Sequence, residues 1–308
     1  MRLRAISAPN GWTKMPARGK PRHRGGYRRE ETKQVEATCL TVAVTLGAFM
    51  DRLCIVGGLA PTLIVDHRLD AEHTDAELHV GTNDLDVGLS IALLDDSQYT
   101  EISHRLRQEG FKPDVNDRGN PTPQSWKLGD LKVTVDFLLP TLPGAEQGGR
   151  VHPLEGDFGA LIAPGLEMAF DERENVTLTG DTLKGERVSR AIPVCGPAAF
   201  VVLKALAFAD RAEPKDAYDL LYILRRWSDG VEDIAARLAE RDAAHRELTT
   251  RALSALSNDF ASPGSIGPRR AAEFDGLARD DLDAAAADAF GLVDDLLRGC
   301  MQRGLWAR

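Results

Sequence analysis

The sequence has no apolar run approaching the roughly 20 residues that a membrane-spanning helix needs. Its longest candidate, Leu40 to Met50, is far too short and follows charged residues. The N-terminus is basic but lacks the apolar core of a secretory signal. Cysteine is scarce: Cys39, Cys54, Cys195 and Cys300 are scattered, with no pair at metal-ligand spacing. Each lies in or beside an apolar stretch, the usual setting of a buried free thiol, which argues against a disulfide framework or a zinc knuckle. No G-x-x-x-x-G-K-[ST] occurs, which excludes a P-loop, and no internal repeat is visible. These absences leave a globular protein, expected in the cytoplasm and away from membranes.

What remains is a chain of 308 residues, 43% hydrophobic and 28% charged, long enough for about two domains. Its net charge of −9 is unevenly spread. Residues 1–29 hold nine Lys or Arg and no acid, so the remainder carries 29 basic against 47 acidic residues. The basic segment also contains Pro9, Pro16, Pro21 and Gly25-Gly26 without apolar periodicity, and it is expected to be disordered. It either gathers nucleic acid electrostatically or is a leader without function.

Along the chain, Glu31 to Met50 reads as a helix, Leu53 to Val56 as a short apolar strand closed by Gly57-Gly58, and Leu59 to Val65 as a helix. Polar residues from His67 to His79 read as a loop. Asp84 to Ile91 alternates as a strand does, and Ser97 to Glu109 reads as a helix with Ser97 as its N-cap. Strands at Ser125–Leu128 and Lys132–Leu138 flank a Gly129-Asp130 hairpin connection. Pro140 to Pro153 reads as loop. Leu166 to Val194 reads as short strands with turns at Glu172–Asn175 and Gly180–Gly185. From Pro197 onward the pattern is helical: Ala198–Ala209, Asp216–Arg226 and an alanine-rich stretch at Leu282–Leu297.

The chemistry concentrates on carboxylates. Asp84 and Asp86 share one face of a strand, about 6–7 Å apart by the rise per residue. Their mutual repulsion, roughly 2–3 kcal/mol at an effective dielectric near 20, is relieved by water or by a hard divalent cation. An Asp-x-Asp pair alone is more often a solvated face. A third acid, Asp136, interrupts the apolar strand Val133-Thr134-Val135-Asp136-Phe137-Leu138, where charge is rare unless paired or metal-bound. If the two strands are neighbours, the three acids converge on a site able to hold two Mg²⁺ for phosphoryl transfer. Gly57-Gly58 ends a strand and opens a helix, so free backbone N–H groups there can receive phosphate oxygens. The Thr82 hydroxyl either binds phosphate or ends the loop. Lys204 lies inside the apolar helix Ala198 to Phe208, either snorkelling or aimed at an anion. Eleven residues on comes Lys215-Asp216-Ala217-Tyr218-Asp219-Leu220-Leu221. Asp216 suits the helix N-terminus as a cap, whereas Asp219, one turn inside, can approach Lys204 if the two helices are antiparallel.

Gly57-Gly58-Leu59-Ala60, Thr82-Asn83-Asp84-Leu85-Asp86 and the joint pattern Leu203-Lys204-Ala205 with Lys215-Asp216-Ala217-Tyr218-Asp219-Leu220 resemble the AbiEii/AbiGii-type nucleotidyltransferases of toxin–antitoxin and phage-defence systems. The resemblance runs from about Leu53 to Leu224. It implies an α+β fold: a polymerase-β-like nucleotidyltransferase domain with a mixed sheet, placed over residues 31–195, followed by an all-helical domain (196–308); the disordered basic tail (1–30) expected from composition precedes both. It implies that Asp84 and Asp86 bind Mg²⁺, that Gly57, Gly58 and Thr82 hold the triphosphate of an NTP, and that Lys204 contacts phosphate. Asp219 is then a catalytic or Lys204-orienting acid. Some members transfer nucleotides to the tRNA acceptor end, so an RNA acceptor, tRNA foremost, and a cognate antitoxin are the expected partners. The alternatives are a protein or aminoglycoside-like acceptor, or a catalytically degenerate member that binds a nucleotide or a partner. Two departures stand out. The gap between Gly58 and Asp84 carries a charged insertion around Asp70 to Glu77, and His79-Val80-Gly81 stands where an arginine is common. His67, His73 and His79 recur every six residues, which fits neither one helix face nor metal spacing, and no role is assigned to them.

Overall fold

Nine strands and nine α-helices are found among the residues that the computed structural model describes: 21–68, 78–91, 94–116, 118–141, 148–277 and 279–307. The strands are β1 (Leu53–Val56), β2 (Asp84–Leu89), β3 (Phe111–Val115), β4 (Pro121–Leu128), β5 (Thr134–Leu139), β6 (Val151–Glu155), β7 (Phe158–Ile162), β8 (Arg173–Asp181) and β9 (Arg187–Cys195). The helices are α1 (Arg29–Leu46), α2 (Ala60–Ile64), α3 (Asp96–Glu109), α4 (Leu166–Asp171), α5 (Pro197–Arg211), α6 (Pro214–Arg226), α7 (Val231–Asp259), α8 (Ile266–Asp275) and α9 (Arg279–Gln302). All strands join one mixed sheet of order β3-β4-β5-β2-β1-β9-β8, with β7 also paired to β5 and β6 to β7. Beyond β9 the described chain is helical, so the fold is the expected α+β arrangement of a mixed sheet followed by helices. Among the described residues no helix is long and apolar enough to cross a membrane.

The centre of the sheet explains the short apolar run at β1. β1 runs antiparallel to β2 and parallel to β9, and all four of its residues are buried. β2 runs parallel to β5 and is buried at every position but Asp86, which is half-buried, so the alternation expected there is absent. A strand covered on both faces has no solvent side to alternate with. Trp126, Phe137 and Phe158 fill the core beside β5, edge to face at 5.0–6.4 Å between ring centroids. The apolar core continues without a break from Leu53 and Phe137 through Phe200 to Val293 and Leu297.

Several local expectations shift for identifiable reasons. α1 stops at Leu46 because Gly47 adopts φ +57, and a 3₁₀ stretch covers Gly47–Arg52. The N-cap of α3 is Asp95 rather than Ser97. Its carboxylate accepts the Gln98 N–H at 2.9 Å, and the Gln98 side chain accepts the Asp95 N–H at 3.0 Å, a reciprocal box that Ser97 cannot make. Pairing of β4 with β5 closes at Trp126–Val135, so their connection is longer than a Gly129-Asp130 hairpin. β6 begins within a segment read as loop, β3 and β7 arise where no element was assigned, and α4 lies within a segment read as strands. Gly180 pairs inside the β8–β9 hairpin, whose turn is Thr182–Glu186. Residues 1–20 and the insertion around Asp70 to Glu77, with His73, lie outside the described residues. Residues 24–26 form a 3₁₀ turn and α1 begins at Arg29, so the last ten residues assigned to the disordered tail are ordered.

One carboxylate sets the helical half against the sheet. Glu172, between α4 and β8, accepts the N–H groups of Ala198 (3.3 Å) and Ala199 (2.6 Å) at the start of α5. Arg237 of α7 donates to it at 3.3 Å and also to Glu174 at 3.1 Å. A side chain on Gly196 would collide with the Glu172 carboxylate, its Cβ falling 2.6 Å from Cδ. Glu172→Ala removes the acceptor of two helix N–H groups and one partner of Arg237. It is expected to lower unfolding free energy by about 2–4 kcal/mol, measurable by urea denaturation. A change under about 0.5 kcal/mol would show that this carboxylate does not anchor α5.

Candidate active site

Register decides where the acids meet. In the parallel β2–β5 pair Asp84 lies opposite Thr134 and Asp86 opposite Asp136. Carboxylate oxygens of Asp84, Asp86 and Asp136 all lie within 4.8 Å of one another, with Asp84 buried and the other two half-buried. Three hard oxygen donors so close, two of them reachable from solvent, form a set suited to a small divalent cation. The convergence expected from the strand pattern is therefore realised. The Thr82 hydroxyl donates to Asp84 Oδ1 at 2.7 Å and fixes the first acid.

The glycine pair closes the same site. β1 lies antiparallel to β2 with Val56 opposite Asp86, so Gly57 follows directly beside that acid. Gly57 has φ +67, and a Cβ there would overlap the Asp86 carboxylate. A Cβ on Gly58 would fall 2.6 Å from Thr82 Oγ1 and 3.3 Å from Lys215 Nζ. The backbone can thus approach the acid, the hydroxyl and a lysine together only because both side chains are missing.

The opposite wall comes from α5 and α6. Lys204 is buried, its Nζ 2.9 Å from Asp216 Oδ1 and 2.6 Å from Asp219 Oδ2. Arg211 grips Asp216 as a fork, Nε at 2.6 Å and Nη2 at 2.9 Å. Lys215 reaches Asp219 Oδ1 at 2.6 Å one helical turn away. Asp216 therefore acts as an anchor for two cations, and the N-cap of α6 is Glu213 instead. Burial alone would push the Asp219 carboxyl up, but Lys204 and then Lys215 hold it well below the usual range. Burial likewise opposes ionisation of Asp216, yet Lys204 and Arg211 bring it down to about 2. Burial disfavours the Lys204 charge, and Asp216 with Asp219 reverses that and raises its pKa. Three cations face two carboxylates here, one positive charge in excess. Arg211 also feels the charge of Asp86 across the cleft.

A short strap joins the walls. His79 is fully buried, with Nε2 2.8 Å from Asp219 Oδ1. Its ring lies against Tyr218 and Tyr222, at 5.4 and 5.0 Å between centroids. The Tyr218 hydroxyl accepts the Val80 N–H at 3.2 Å. Asp66 accepts the His79 N–H at 3.1 Å together with the Tyr222 hydroxyl. From sequence His79 was assigned no role, Lys215 entered only as part of its motif, and Arg211 was not singled out. Arg211 lies two turns after Lys204 on its helix face, and Lys215 is at i,i+4 from Asp219, spacings that could have pointed to both.

Residues 82–301, more than two thirds of the chain, match the family described as Nucleotidyl transferase AbiEii toxin, Type IV TA system. The chain belongs to this family. It is accordingly a nucleotidyltransferase, and the AbiEii family's place in toxin–antitoxin systems implies an antitoxin partner and an NTP substrate. The match begins at Thr82, so Gly57 and Gly58 lie outside it although the fold places them against Asp86 and Thr82. No curated protein matches the chain.

The strap carries a pH signature. Burial, the largest effect, raises the Asp66 carboxyl from 3.8 to about 6, against the opposing pull of its bonds from Tyr222 and His79 and of nearby Arg29 and His67. The folded state therefore binds the Asp66 proton more tightly than the unfolded chain. Its contribution is fully present below about 4 and is lost as pH rises through about 6. Asp66→Asn keeps an acceptor but cannot ionise. Its stability relative to wild type is expected to improve between about pH 4 and about pH 7 by up to about 3 kcal/mol, read from paired urea titrations. A pH-independent difference would sink this assignment.

Proposed function

We propose that this AbiEii-family protein transfers a nucleoside monophosphate from an NTP to an RNA acceptor, with tRNA the foremost candidate, and that the cation it uses is Mg²⁺. The observation that carries the reading is the facing of two walls: Asp84, Asp86 and Asp136 on β2 and β5, and Lys204, Arg211 and Lys215 on or beside α5 and α6. Asp84, Asp86 and Asp136 would hold Mg²⁺, which when bound supplies Lewis-acid polarisation of phosphate oxygens. The Gly57-Gly58 backbone and the Thr82 hydroxyl bind the triphosphate beside the acids, where the missing side chains let the backbone come close. Lys215, beside Gly58, supplies the cation for that end of the triphosphate. Lys204, sequestered by two carboxylates, acts behind it by fixing Asp216 and Asp219, in place of the direct phosphate contact expected from the resemblance. Asp219 is in this reading a positioning acid.

An RNA acceptor is favoured by the basic N-terminal segment, whose described end runs beside the cleft. The Tyr27 ring lies over Lys215 Nζ at 5.2 Å, and Arg24 pairs with Asp275 at 3.3 Å. A polyanion held by that segment is delivered next to the triphosphate subsite. The acidic remainder of the chain favours a second reading, a cationic acceptor such as an aminoglycoside or a basic protein surface.

With Mg²⁺ and labelled NTPs, the purified protein is expected to label tRNA in a total RNA pool. Asp86→Asn or Asp136→Asn should reduce the rate by at least about 100-fold. Label confined to protein or aminoglycoside would transfer the assignment to the second reading, and no label on any acceptor would favour a degenerate, binding-only member. Independently, calorimetry is expected to detect Mg²⁺ binding that disappears in the Asp84→Asn, Asp86→Asn double variant. Retained binding in that variant would place the metal elsewhere.

A further inference from the structure

His79 is the side chain at which the two walls of the cleft are joined, and nothing in the family match assigns it a role. The imidazole has two hydrogen-bonding atoms, and both are committed. Nδ1 lies 3.0 Å from the Gly81 N–H, which can only donate, so Nδ1 is an acceptor. The ring proton therefore resides on Nε2, which donates to Asp219 Oδ1 at 2.8 Å. Gly81 is one residue before Thr82, whose hydroxyl fixes Asp84. On the other side Oδ1 of Asp219 also receives Lys215 Nζ at 2.6 Å, and that ammonium lies beside Gly58.

We infer that His79 is a positioning residue of the triphosphate subsite: through its two ring nitrogens it sets the Thr82–Asp84 limb and the Asp219–Lys215 limb at a fixed separation. The side chain has no exposed surface, so it does not touch the substrate itself. Its chemistry suits the task. Asp219 already faces Lys204 and Lys215, and a third cation there would add to the one excess positive charge of the cluster. A neutral imidazole supplies a directional donor without a charge, and burial, followed by the nearby Lys215, holds its pKa down at about 4. The charged and titratable groups around the ring are Asp219, Lys204, Lys215, Tyr218 and Tyr222, with Asp66 bonded to its backbone N–H. Gly81 reinforces the fixation. It has φ +83, and a Cβ there would overlap Thr32 of α1, so the strap packs this closely on α1 only with glycine at this position.

This inference rests on the proposed nucleotide site, and its test separates the two. The probe is inorganic tripolyphosphate with Mg²⁺, titrated into the full-length protein by calorimetry, with Mg²⁺ alone as the control. His79→Gln can keep a donor toward Asp219, whereas His79→Asn keeps an acceptor for Gly81 but falls short of Asp219. The Gln variant is expected to bind tripolyphosphate within about threefold of wild type, and the Asn variant roughly 10- to 100-fold more weakly. Binding of Mg²⁺ alone should be unchanged in both. In a Lys215→Met background His79→Asn should add little further loss, since both act on one subsite. A packing role would instead give losses that follow thermal stability and add to the Lys215 effect. Wild type that binds neither Mg²⁺ nor tripolyphosphate overturns the site reading itself. Wild-type binding with equal affinities in the Gln and Asn variants overturns only the role of His79. Should either variant fail to fold, nitrogen NMR of wild type decides: a proton on Nε2 from about pH 5 to about pH 8 is expected, and a proton on Nδ1 would overturn the inference.

Discussion

The buried carboxylate of Asp219 is the point from which the geometry of the cleft follows. It pairs with Lys204 on α5 and with Lys215 on its own helix, and accepts a hydrogen bond from the neutral His79 on the strap that precedes β2. Two helices and a loop are thereby fixed relative to one another through a single group. Such an arrangement is costly to assemble, because each ion loses its hydration on burial and regains it only through well-directed partners. Replacing these groups by apolar residues of similar volume would serve stability at least as well. Their presence makes sense as positional control: the cluster holds one ammonium beside Gly58 and leaves one positive charge in excess toward the acids of the sheet.

The two walls are built by different physics. On the sheet side, backbone register does the work. Asp86 and Asp136 are neighbours because β2 and β5 pair in parallel at that position, and no side-chain contact is needed to bring them together. Their repulsion is tolerated at a half-buried edge open to solvent and counter-ions. On the helical side, every functional group is positioned by ion pairing, and the helices that carry them are in turn held by Glu172 and Arg237 at the start of α5. The glycine pair at the end of β1 links the walls by having no side chains: the backbone comes close to both because nothing stands between.

Much of the candidate site was legible in the sequence. Asp84, Asp86 and Asp136 could be picked out because a charge in an apolar strand needs a reason, and the two-residue period of a strand says which acids share a face. The helices carrying Lys204 and Asp219 were legible from the sequence pattern, and the acid–lysine approach was expected on condition that the two helices are antiparallel. What was missed shares one feature. His79 meets Asp219 across 140 residues of chain, a separation that no local spacing of histidines reports. Asp216 resembled an ordinary helix-start acid, and only its buried partners Lys204 and Arg211 distinguish it. Lys204, the lysine in the more apolar helix, is enclosed by Asp216 and Asp219, while Lys215 Nζ lies beside Gly58. Apolar surroundings mark burial, and burial here means enclosure by two carboxylates.

The sequence by itself therefore determined the inventory: a mixed α+β chain, a strand that ends in two glycines, acids at strand spacing, and a lysine helix followed by a Lys-Asp-x-x-Asp helix. These are local properties, set by side-chain period, backbone freedom and charge within a few residues. Tertiary structure decided which of those groups meet. The register of β2 on β5, the packing of the strap against α6 and the enclosure of Lys204 by Asp216 and Asp219 all depend on how separate elements come together. Each is fixed by the way a shared core is filled and by the requirement that every buried charge find a partner, conditions that can be satisfied only once the whole chain is in place.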